Sequence, residues 1–319
     1  MQQDRLQPIA IVGIGCRFPQ AKNLREFWKL LQQGRSAIRE VPHDRWDSAS
    51  LYDADPTVAG RTTSRWGGFL EQVDQFDWRA FRISPREVKM MDPQQRLLLE
   101  VAWEAFEDAG LSMSQIAGSR TSVSIGIGWS DYLRLQSRNW SQIDGYTATG
   151  NESGFASSRL SYMFDLKGPS VSLDAGCTSS LAAIQMACQS LWLGEATMAL
   201  AGGVSLMLSP DGMIIVSKAG LLSPDGQCRA LNAEANGTVR GEGAGIVVLK
   251  PLSLVKPADR VYALIEGIAI NHNGHNQWII ASDQRAQERL LRDAYEGAGI
   301  RPRTLTTRSC TVQALSRET

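Results

Sequence analysis

The chain has 319 residues with 33 basic and 33 acidic side chains, so its formal net charge is zero. This balance argues against nucleic acid or an anionic membrane as the main partner, because both favour a basic surface. No window approaches the roughly 18 uncharged apolar residues of a membrane span, and the first residues lack the pattern of a secretory signal.

Apolar runs that end in glycine alternate along the chain with segments of helical period. The run at 8–15 predicts a buried strand, and 23–34 predicts a helix. Residues 41–80 lack a period and predict a long irregular segment, after which Asp92 is placed to cap the clearest helix. We predict further helices at 92–110, 154–166, 178–195 and 282–299, and strands at 122–128, 198–208, 243–252 and 261–271. This alternation predicts an α/β fold built in layers.

Two glycine-rich segments invite comparison with nucleotide-binding loops. "VGIGCRF" places Gly13 and Gly15 after a strand, but Phe18 stands where the dinucleotide fingerprint needs a third glycine, so a tight turn is favoured. In "VRGEGAGIVVLK" a strand follows the glycines, whereas a phosphate loop continues through Lys and Ser or Thr into a helix. We therefore predict close backbone packing there and no bound cofactor.

The chain has three histidines, His43, His272 and His275. A zinc site needs further ligands at a defined spacing, and the sequence offers neither a third histidine nor a CxxC pair near them. Asn and Gly surround His272 and His275, which is typical of turns. We predict that all three lie in loops and that no metal is bound.

Cys177 is the candidate nucleophile. A cysteine between a strand and a helix is usually a small buried apolar residue, but here Gly176 permits a tight turn and residues 178–180 are hydroxyl side chains that can cap the next helix. A thiol at the start of a helix faces free N–H groups that stabilise its thiolate. The other cysteines are scattered, which suits the reducing cytoplasm: Cys16, Cys188, Cys228 and Cys310.

The segment "DAGCTSSLAA" resembles the active-site motif of β-ketoacyl synthases, above all the ketosynthase domains of modular polyketide synthases. The family usually has Asp-Thr-Ala-Cys-Ser-Ser-Ser-Leu there; Ala175, Gly176 and Thr178 differ, and Cys177 is kept. The likeness extends over residues 8–302. Other segments that are typical of the family follow in the typical order, among them "PIAIVGIGCRFP", "VPHDRWD", "MMDPQQRLLLEVAWEAFEDAG", "SSRLSYMFDLKGPSVSLDAGC" and "VRGEGAGIVVLKPL".

The resemblance implies a thiolase-like fold, in which two similar α/β halves stack as five αβαβα layers, usually in a homodimer. Cys177 would accept an acyl group as a thioester from the phosphopantetheine arm of an acyl carrier protein. A malonyl-type extender would then lose carbon dioxide and condense with that thioester. The implied activity is that of an acyltransferase of the 3-oxoacyl-[acyl-carrier-protein] synthase type, in cytoplasmic polyketide or fatty acid biosynthesis, with no cofactor bound by the domain itself.

The resemblance also predicts that the chain has three parts. Residues 1–250 match the N-terminal half of such a domain, 251–302 match the start of the C-terminal half, and 303–319 do not fit the family. The expected fold thus has a complete first half and lacks most of the second, as in a C-terminally truncated ketosynthase. The family's two catalytic histidines lie in segments beyond 302, so the alternatives are an inactive remnant, a carrier-protein docking module, and an enzyme that only acylates Cys177.

The tail at 303–319 predicts a frameshift. Read through the genetic code one nucleotide back, its codons can encode Asp-Ile-Asp-Tyr, then Glu, then His-Gly-Thr-Gly-Thr, which is the family sequence in its usual place. We therefore expect the shifted frame of the gene to encode His-Gly-Thr-Gly-Thr from the junction of Cys310 and Thr311. Sequencing the DNA tests this, and any other peptide in that frame contradicts the interpretation.

Overall fold

A mixed six-stranded sheet forms the centre of the computed structural model, which describes residues 6–279 and 281–300. The strands are β1 (Ile9–Arg17), β2 (Arg39–Glu40), β3 (Trp66–Gly67), β4 (Thr121–Gly126), β5 (Ser170–Leu173), β6 (Met198–Ser205), β7 (Gly243–Pro251) and β8 (Ala263–Ile265). The sheet has the order β5-β4-β6-β7-β1-β8, and β2 pairs with β3 separately. Strands β5, β4 and β6 are parallel, whereas β7 runs antiparallel to β6 and β1. The α/β architecture predicted from the sequence is confirmed.

Eleven α-helices lie within the described residues. They are α1 (Leu24–Gln32), α2 (Ser48–Leu51), α3 (Pro85–Met90), α4 (Pro93–Asp108), α5 (Met113–Ile116), α6 (Asp131–Gln136), α7 (Gly145–Asn151), α8 (Gly154–Met163), α9 (Ser179–Trp192), α10 (Asp211–Lys218) and α11 (Gln284–Ala298). Asp92 caps α4 by accepting a hydrogen bond from the backbone N–H of Gln94, as predicted. None of these helices is long and apolar enough to cross a membrane.

The sheet is covered on both faces. Along β6, Leu200 points to the face covered by α4 and α8, while Ala199 and Ala201 point to the face covered by α9, as the period of two in a strand requires. The first face buries large side chains, and full burial of each leucine stabilises the fold by about 1.5–3 kcal/mol. On the second face β6 presents the small residues Ala199 and Ala201, so α9 packs close to this strand.

Gly13 and Gly15 lie inside β1, so the prediction of a tight turn there was wrong. A side chain on Gly13 would overlap the backbone oxygen of Ala105, and one on Gly15 would overlap that of Val101. Both glycines therefore allow α4 to approach the strand. In "VRGEGAGIVVLK" the predicted close packing is found at Gly243, where a Cβ would lie 2.8 Å from the Phe18 ring, whereas a Cβ on Gly241 would meet nothing within 4 Å.

Residues 41–80 form the predicted irregular segment, interrupted by α2 and β3. A buried ion pair holds this segment in place. The Nη1 and Nη2 nitrogens of Arg45 donate to the Glu242 carboxylate, at 3.0 and 3.1 Å. Glu242 also accepts the backbone N–H groups of Leu70 (2.7 Å) and Met207 (2.8 Å). Burial raises the pKa of Glu242, and the charge of Arg45 opposes that shift. One carboxylate thus joins the irregular segment to the ends of β6 and β7.

The outer face of α9 carries exposed apolar side chains beside polar ones. Its inner face is buried through Ala183, Ala187 and Leu191, but Leu181 is 60% exposed and Leu193 is 74% exposed. Exposed leucines on a helix whose other face is already buried are typical of a helix in the middle of a layered protein. The face thus matches the central helical layer that the five-layer expectation requires.

Exposed apolar patches favour association, so we expect concentration-dependent oligomers or aggregates of this chain. Replacing Leu181→Glu together with Leu193→Glu should shift the population toward monomer, because charged side chains resist burial. Light scattering coupled to size-exclusion chromatography measures this. Leu31→Glu, which changes a 52% exposed leucine on α1, is the matched control and should leave association unchanged. A monomeric wild-type chain with sharp, reversible unfolding would contradict the prediction.

Candidate active site at the carboxyl ends of the parallel strands

Cys177 lies where the carboxyl ends of β4, β5 and β6 meet. Gly126 of β4 pairs with Leu173 at the end of β5 and with Gly203 near the end of β6. Five residues, 174–178, connect β5 to α9, and Cys177 is one of them. Ligands of α/β proteins bind at such edges, outside the carboxyl ends of parallel strands. The thiol is exposed in this structure.

The turn that presents Cys177 is built around Gly176. Gly176 has φ of 61°, a conformation that side chains disfavour, and its N–H donates to Asp174 Oδ1 at 2.9 Å. The Ser179 hydroxyl accepts the Ala175 N–H (2.8 Å) and donates to the Gly176 carbonyl (2.7 Å). These bonds close the loop tightly, so the thiol projects from a rigid turn.

The hydroxyl side chains act differently from the sequence expectation. Thr178 is the N-cap residue of α9, but its hydroxyl donates to the Ala175 carbonyl at 2.9 Å, and no side chain caps the helix. The hydroxyls stabilise the turn instead. Because no side chain neutralises it, the positive end of the α9 dipole remains available to an anion at the site.

Glycines allow α9 to begin against the sheet. A Cβ on Gly126 would lie 2.6 Å from the backbone carbon of Ser179, and one on Gly203 would lie 3.1 Å from the Ser180 side chain. Next to them, a Cβ on Gly128 would lie 2.9 Å from the Asp174 carboxylate. The start of α9 can occupy its position only because these strand ends lack side chains.

The Gln94 side chain links the segment after β4 to the segment after β6 through two hydrogen bonds. Its amide nitrogen donates to the Trp129 carbonyl (2.8 Å), and its amide oxygen accepts the Leu206 N–H (3.2 Å). Its backbone N–H donates to Asp92, whose pKa burial raises to about 6. The sequence predicts the Asp92 cap and a helix in this segment, but no pattern in it indicates that Gln94 supports the site.

Two of the other thiols, those of Cys16 and Cys188, are buried, whereas Cys177 is exposed. Burial raises the pKa of Cys16 to about 11 and that of Cys188 to about 12, which makes both unreactive. Cys228 is exposed, and its sulfur accepts the Val239 N–H at 3.1 Å. Cys310 lies outside the described residues. Cys177 and Cys228 are therefore the accessible thiols of the described part of the chain.

The histidines lie in loops, as predicted. His272 accepts the Gly274 N–H on its ring Nδ1 at 2.8 Å, a local turn contact, and His43 follows the short strand β2. Among the described residues, no group of His, Cys, Asp and Glu could hold a metal ion.

Comparison with known families agrees with the site. The model of the β-ketoacyl synthase N-terminal domain matches residues 6–254, most of the chain. The chain belongs to the β-ketoacyl synthase family. The model of the C-terminal domain of β-ketoacyl synthases matches residues 262–311.

The relatives of this chain are polyketide synthases, and the chain matches a part of each. It is 46% identical over 298 residues to a phenolphthiocerol/phthiocerol polyketide synthase of Mycobacterium tuberculosis, covering 93% of this chain and 19% of the relative. It is 46% identical over 295 residues to polyketide synthase ThaG of Burkholderia thailandensis, covering 92% of this chain and 5% of that protein. The chain thus corresponds to a small portion of these relatives.

Solved ketosynthases share the fold. The oxazolomycin ketosynthase domain of Streptomyces albus superposes with a TM-score of 0.88 at 37% identity, over 93% of this chain and 51% of that one. The ketosynthase from module 6 of the Bacillus subtilis bacillaene synthase gives 0.84 at 39% identity, over 92% and 49%. The thiolase-like fold predicted from the sequence is confirmed, and the chain spans about half the length of these ketosynthases.

Substitution of Gly126 tests the close approach of α9. Gly126→Ala should destabilise the fold by about 1–3 kcal/mol, because the new methyl group overlaps the α9 backbone. Gly145→Ala is the control, since a Cβ there meets nothing within 4 Å. Urea unfolding in the Leu181→Glu, Leu193→Glu background measures both free energies. Equal stabilities of the two variants would contradict the packing argument.

Proposed function

We propose that this chain carries the acyl-accepting site of a β-ketoacyl synthase, with Cys177 as the nucleophile. The observation that supports this most is the position of Cys177: on a rigid turn, at the carboxyl ends of β4–β6, before an uncapped helix. The family membership of the chain supports the same assignment.

The first step of the proposed reaction is thioester exchange. The Cys177 thiolate attacks the carbonyl carbon of an acyl group on a phosphopantetheine arm, and a carbon–sulfur bond forms. The tetrahedral intermediate then expels the phosphopantetheine sulfur, which takes up a proton. The first-turn N–H groups and positive dipole end of α9 favour both the thiolate and the intermediate's negative charge. A covalent intermediate divides the condensation into two easier steps.

The second step is decarboxylative condensation. A malonyl-type extender loses carbon dioxide, and its carbanion attacks the carbonyl of the Cys177 thioester. A carbon–carbon bond forms and Cys177 leaves as a thiolate. In the family two histidines polarise the extender, and His43, His272 and His275 do not match their segments. We therefore assign condensation to the complete enzyme, and acylation to the site present here.

The partners and location follow from the proposed chemistry. The relatives are polyketide synthases, whose thioester substrates would reach Cys177 on an acyl carrier protein. We propose that the complete enzyme works as a homodimer in the cytoplasm, in polyketide or fatty acid biosynthesis, with no cofactor of its own.

Acyl transfer to Cys177 can be measured by intact-protein mass spectrometry after incubation with an acyl-pantetheine thioester. One acyl group should be gained, and peptide mapping should place it on Cys177. Cys177→Ala should abolish the gain, whereas Cys228→Ala, which removes the other exposed thiol of residues 6–279 and 281–300, should retain it. Acylation that persists in Cys177→Ala would refute the nucleophile assignment.

A carrier-protein docking module, or an inactive remnant, is the second candidate, because the family's histidine segments have no match in these residues. Carbon dioxide release from a malonyl carrier protein separates the candidates. Acylation with decarboxylation supports the full reaction, and acylation alone supports a partial enzyme. Carrier binding without acylation supports the docking module, and the absence of all three supports a remnant.

A further inference from the structure

The Asp174 carboxylate lies beside the turn that presents Cys177. Its Oδ1 oxygen accepts the N–H of Gly176 at 2.9 Å, and the residue after Gly176 is Cys177. On its other side the carboxylate packs against Gly128, since a Cβ there would lie 2.9 Å from Oδ2 of Asp174. Consecutive Cα atoms are about 3.8 Å apart, so these contacts place the carboxylate within roughly 10 Å of the Cys177 sulfur.

Asp174 has no ion partner among residues 6–279 and 281–300. Within the same residues, the Gly176 N–H is the one hydrogen-bond donor to its carboxylate. Asp174 is exposed, and so is Cys177. The carboxylate therefore presents its negative charge to any molecule that approaches the thiol.

Buried charges behind the strand ends do not offset Asp174. Burial lowers the pKa of Arg240, and the charges of Asp131 and Glu242 are the largest that oppose this shift. Glu242 is in turn paired with Arg45. This buried group of two guanidinium groups and two carboxylates has no net charge, so the charge of Asp174 is added to a neutral surrounding.

The first turn of α9 and Asp174 act on different charges of a substrate. During thioester exchange, negative charge develops on the carbonyl oxygen, to which free N–H groups of α9 can donate. An uncharged acyl group brings no further charge. A malonyl group brings a carboxylate two bonds from the carbonyl carbon, and Asp174 repels this second charge because solvent screens it only in part.

We propose that Asp174 makes Cys177 selective for uncharged acyl groups, by repelling malonyl and other anionic acyl groups. The proposal rests on the proposed role of Cys177 as nucleophile. Such selectivity keeps Cys177 free for the growing acyl chain, which the extender must find there. The carboxylate is exposed and acts over about one Debye length in ordinary buffers, so it should favour uncharged groups by about two- to fivefold.

The test compares two alkylating reagents of similar size, uncharged iodoacetamide and anionic iodoacetate. Each forms a carbon–sulfur bond with the thiolate and releases iodide, so the ratio of their rates reports charge repulsion and not the thiolate fraction. The ratio is measured on the Cys177 peptide by mass spectrometry and divided by that of N-acetylcysteine amide. Asp174→Asn should lower this ratio about two- to fivefold, because the amide loses the charge while its oxygen still accepts the Gly176 N–H.

Asp53→Asn is the matched control. Asp53 Oδ1 also accepts the N–H of the second residue after it, Asp55, at 3.0 Å, but in the irregular segment at 41–80. This variant should leave the ratio at Cys177 unchanged. The Cys228 peptide of each sample is an internal reference and should keep its ratio in both variants.

Salt supplies a second measurement that needs no variant. Raising the salt concentration from about 10 mM to about 1 M shortens the Debye length from about 30 Å to about 3 Å. The normalised ratio at Cys177 of the wild-type chain should therefore fall toward one. Asp174→Asn should show a smaller change with salt, because its turn carries no carboxylate.

Acyl transfer tests the selectivity itself. Propionyl-pantetheine and malonyl-pantetheine differ by a methyl group in place of a carboxylate, and intact-protein mass spectrometry distinguishes their adducts. The wild-type chain should accept the propionyl group faster. Asp174→Asn should raise the malonyl rate relative to the propionyl rate about two- to fivefold, whereas Asp53→Asn should not.

Equal alkylation ratios in the wild-type chain and in Asp174→Asn, shown to be folded by thermal unfolding, would overturn the proposal. So would an equal change in Asp53→Asn, or a wild-type ratio that does not respond to salt. If acyl transfer to Cys177 occurs but its propionyl preference does not depend on Asp174, the role of Asp174 is refuted and the nucleophile assignment stands. If no acyl group is transferred, the nucleophile assignment is refuted, and the acyl selectivity with it, even where alkylation depends on Asp174.

Discussion

The close contact between the start of α9 and the carboxyl ends of β4 and β6 is the constraint on which the site depends. Gly126 and Gly203 remove the side chains that would hold the helix away. With the helix in place, the five residues after β5 must fold into a tight turn, which requires the positive φ of Gly176. Cys177 lies in this turn, and its thiol is exposed.

Buried polar groups hold the surrounding loops in register. Gln94 connects the segments after β4 and β6, while Glu242 connects the irregular segment at 41–80 to β6 and β7. Each group satisfies several backbone atoms that would otherwise be buried unpaired, at a cost of about 1–3 kcal/mol apiece. The loops at the strand ends are therefore fixed by hydrogen bonds, whereas the layers are fixed by apolar packing.

The layers could be predicted from the sequence because their signals are local. The helical period of α4 and the apolar runs of β6 and β7 are contained in their own residues. The short helices α3, α6, α7 and α10 were missed, since a few residues cannot show a period. Gly13 and Gly15 illustrate another limit: glycine permits both a turn and a close approach, and only the distant helix α4 decides between them.

The candidate site also has a part that could be predicted from the sequence and a part that could not. Cys177 was predicted because its turn, helix and motif are contiguous in sequence, whereas Gln94 supports the site through Trp129 and Leu206, which long stretches of chain separate from it.

The position of β1 has a consequence for the order in which this chain can fold during synthesis. Ile9 pairs with Pro251 of β7 and Ile265 of β8, which are both made more than 240 residues later. At ribosomal speeds of about 5–20 residues per second, roughly 10–45 s pass before β7 follows β1. Throughout that interval the apolar strand has no neighbour on either side, which is the condition in which strands pair with other chains. Occupation of β1 by a chaperone, or by neighbouring segments of the nascent chain, would protect it until the sheet closes.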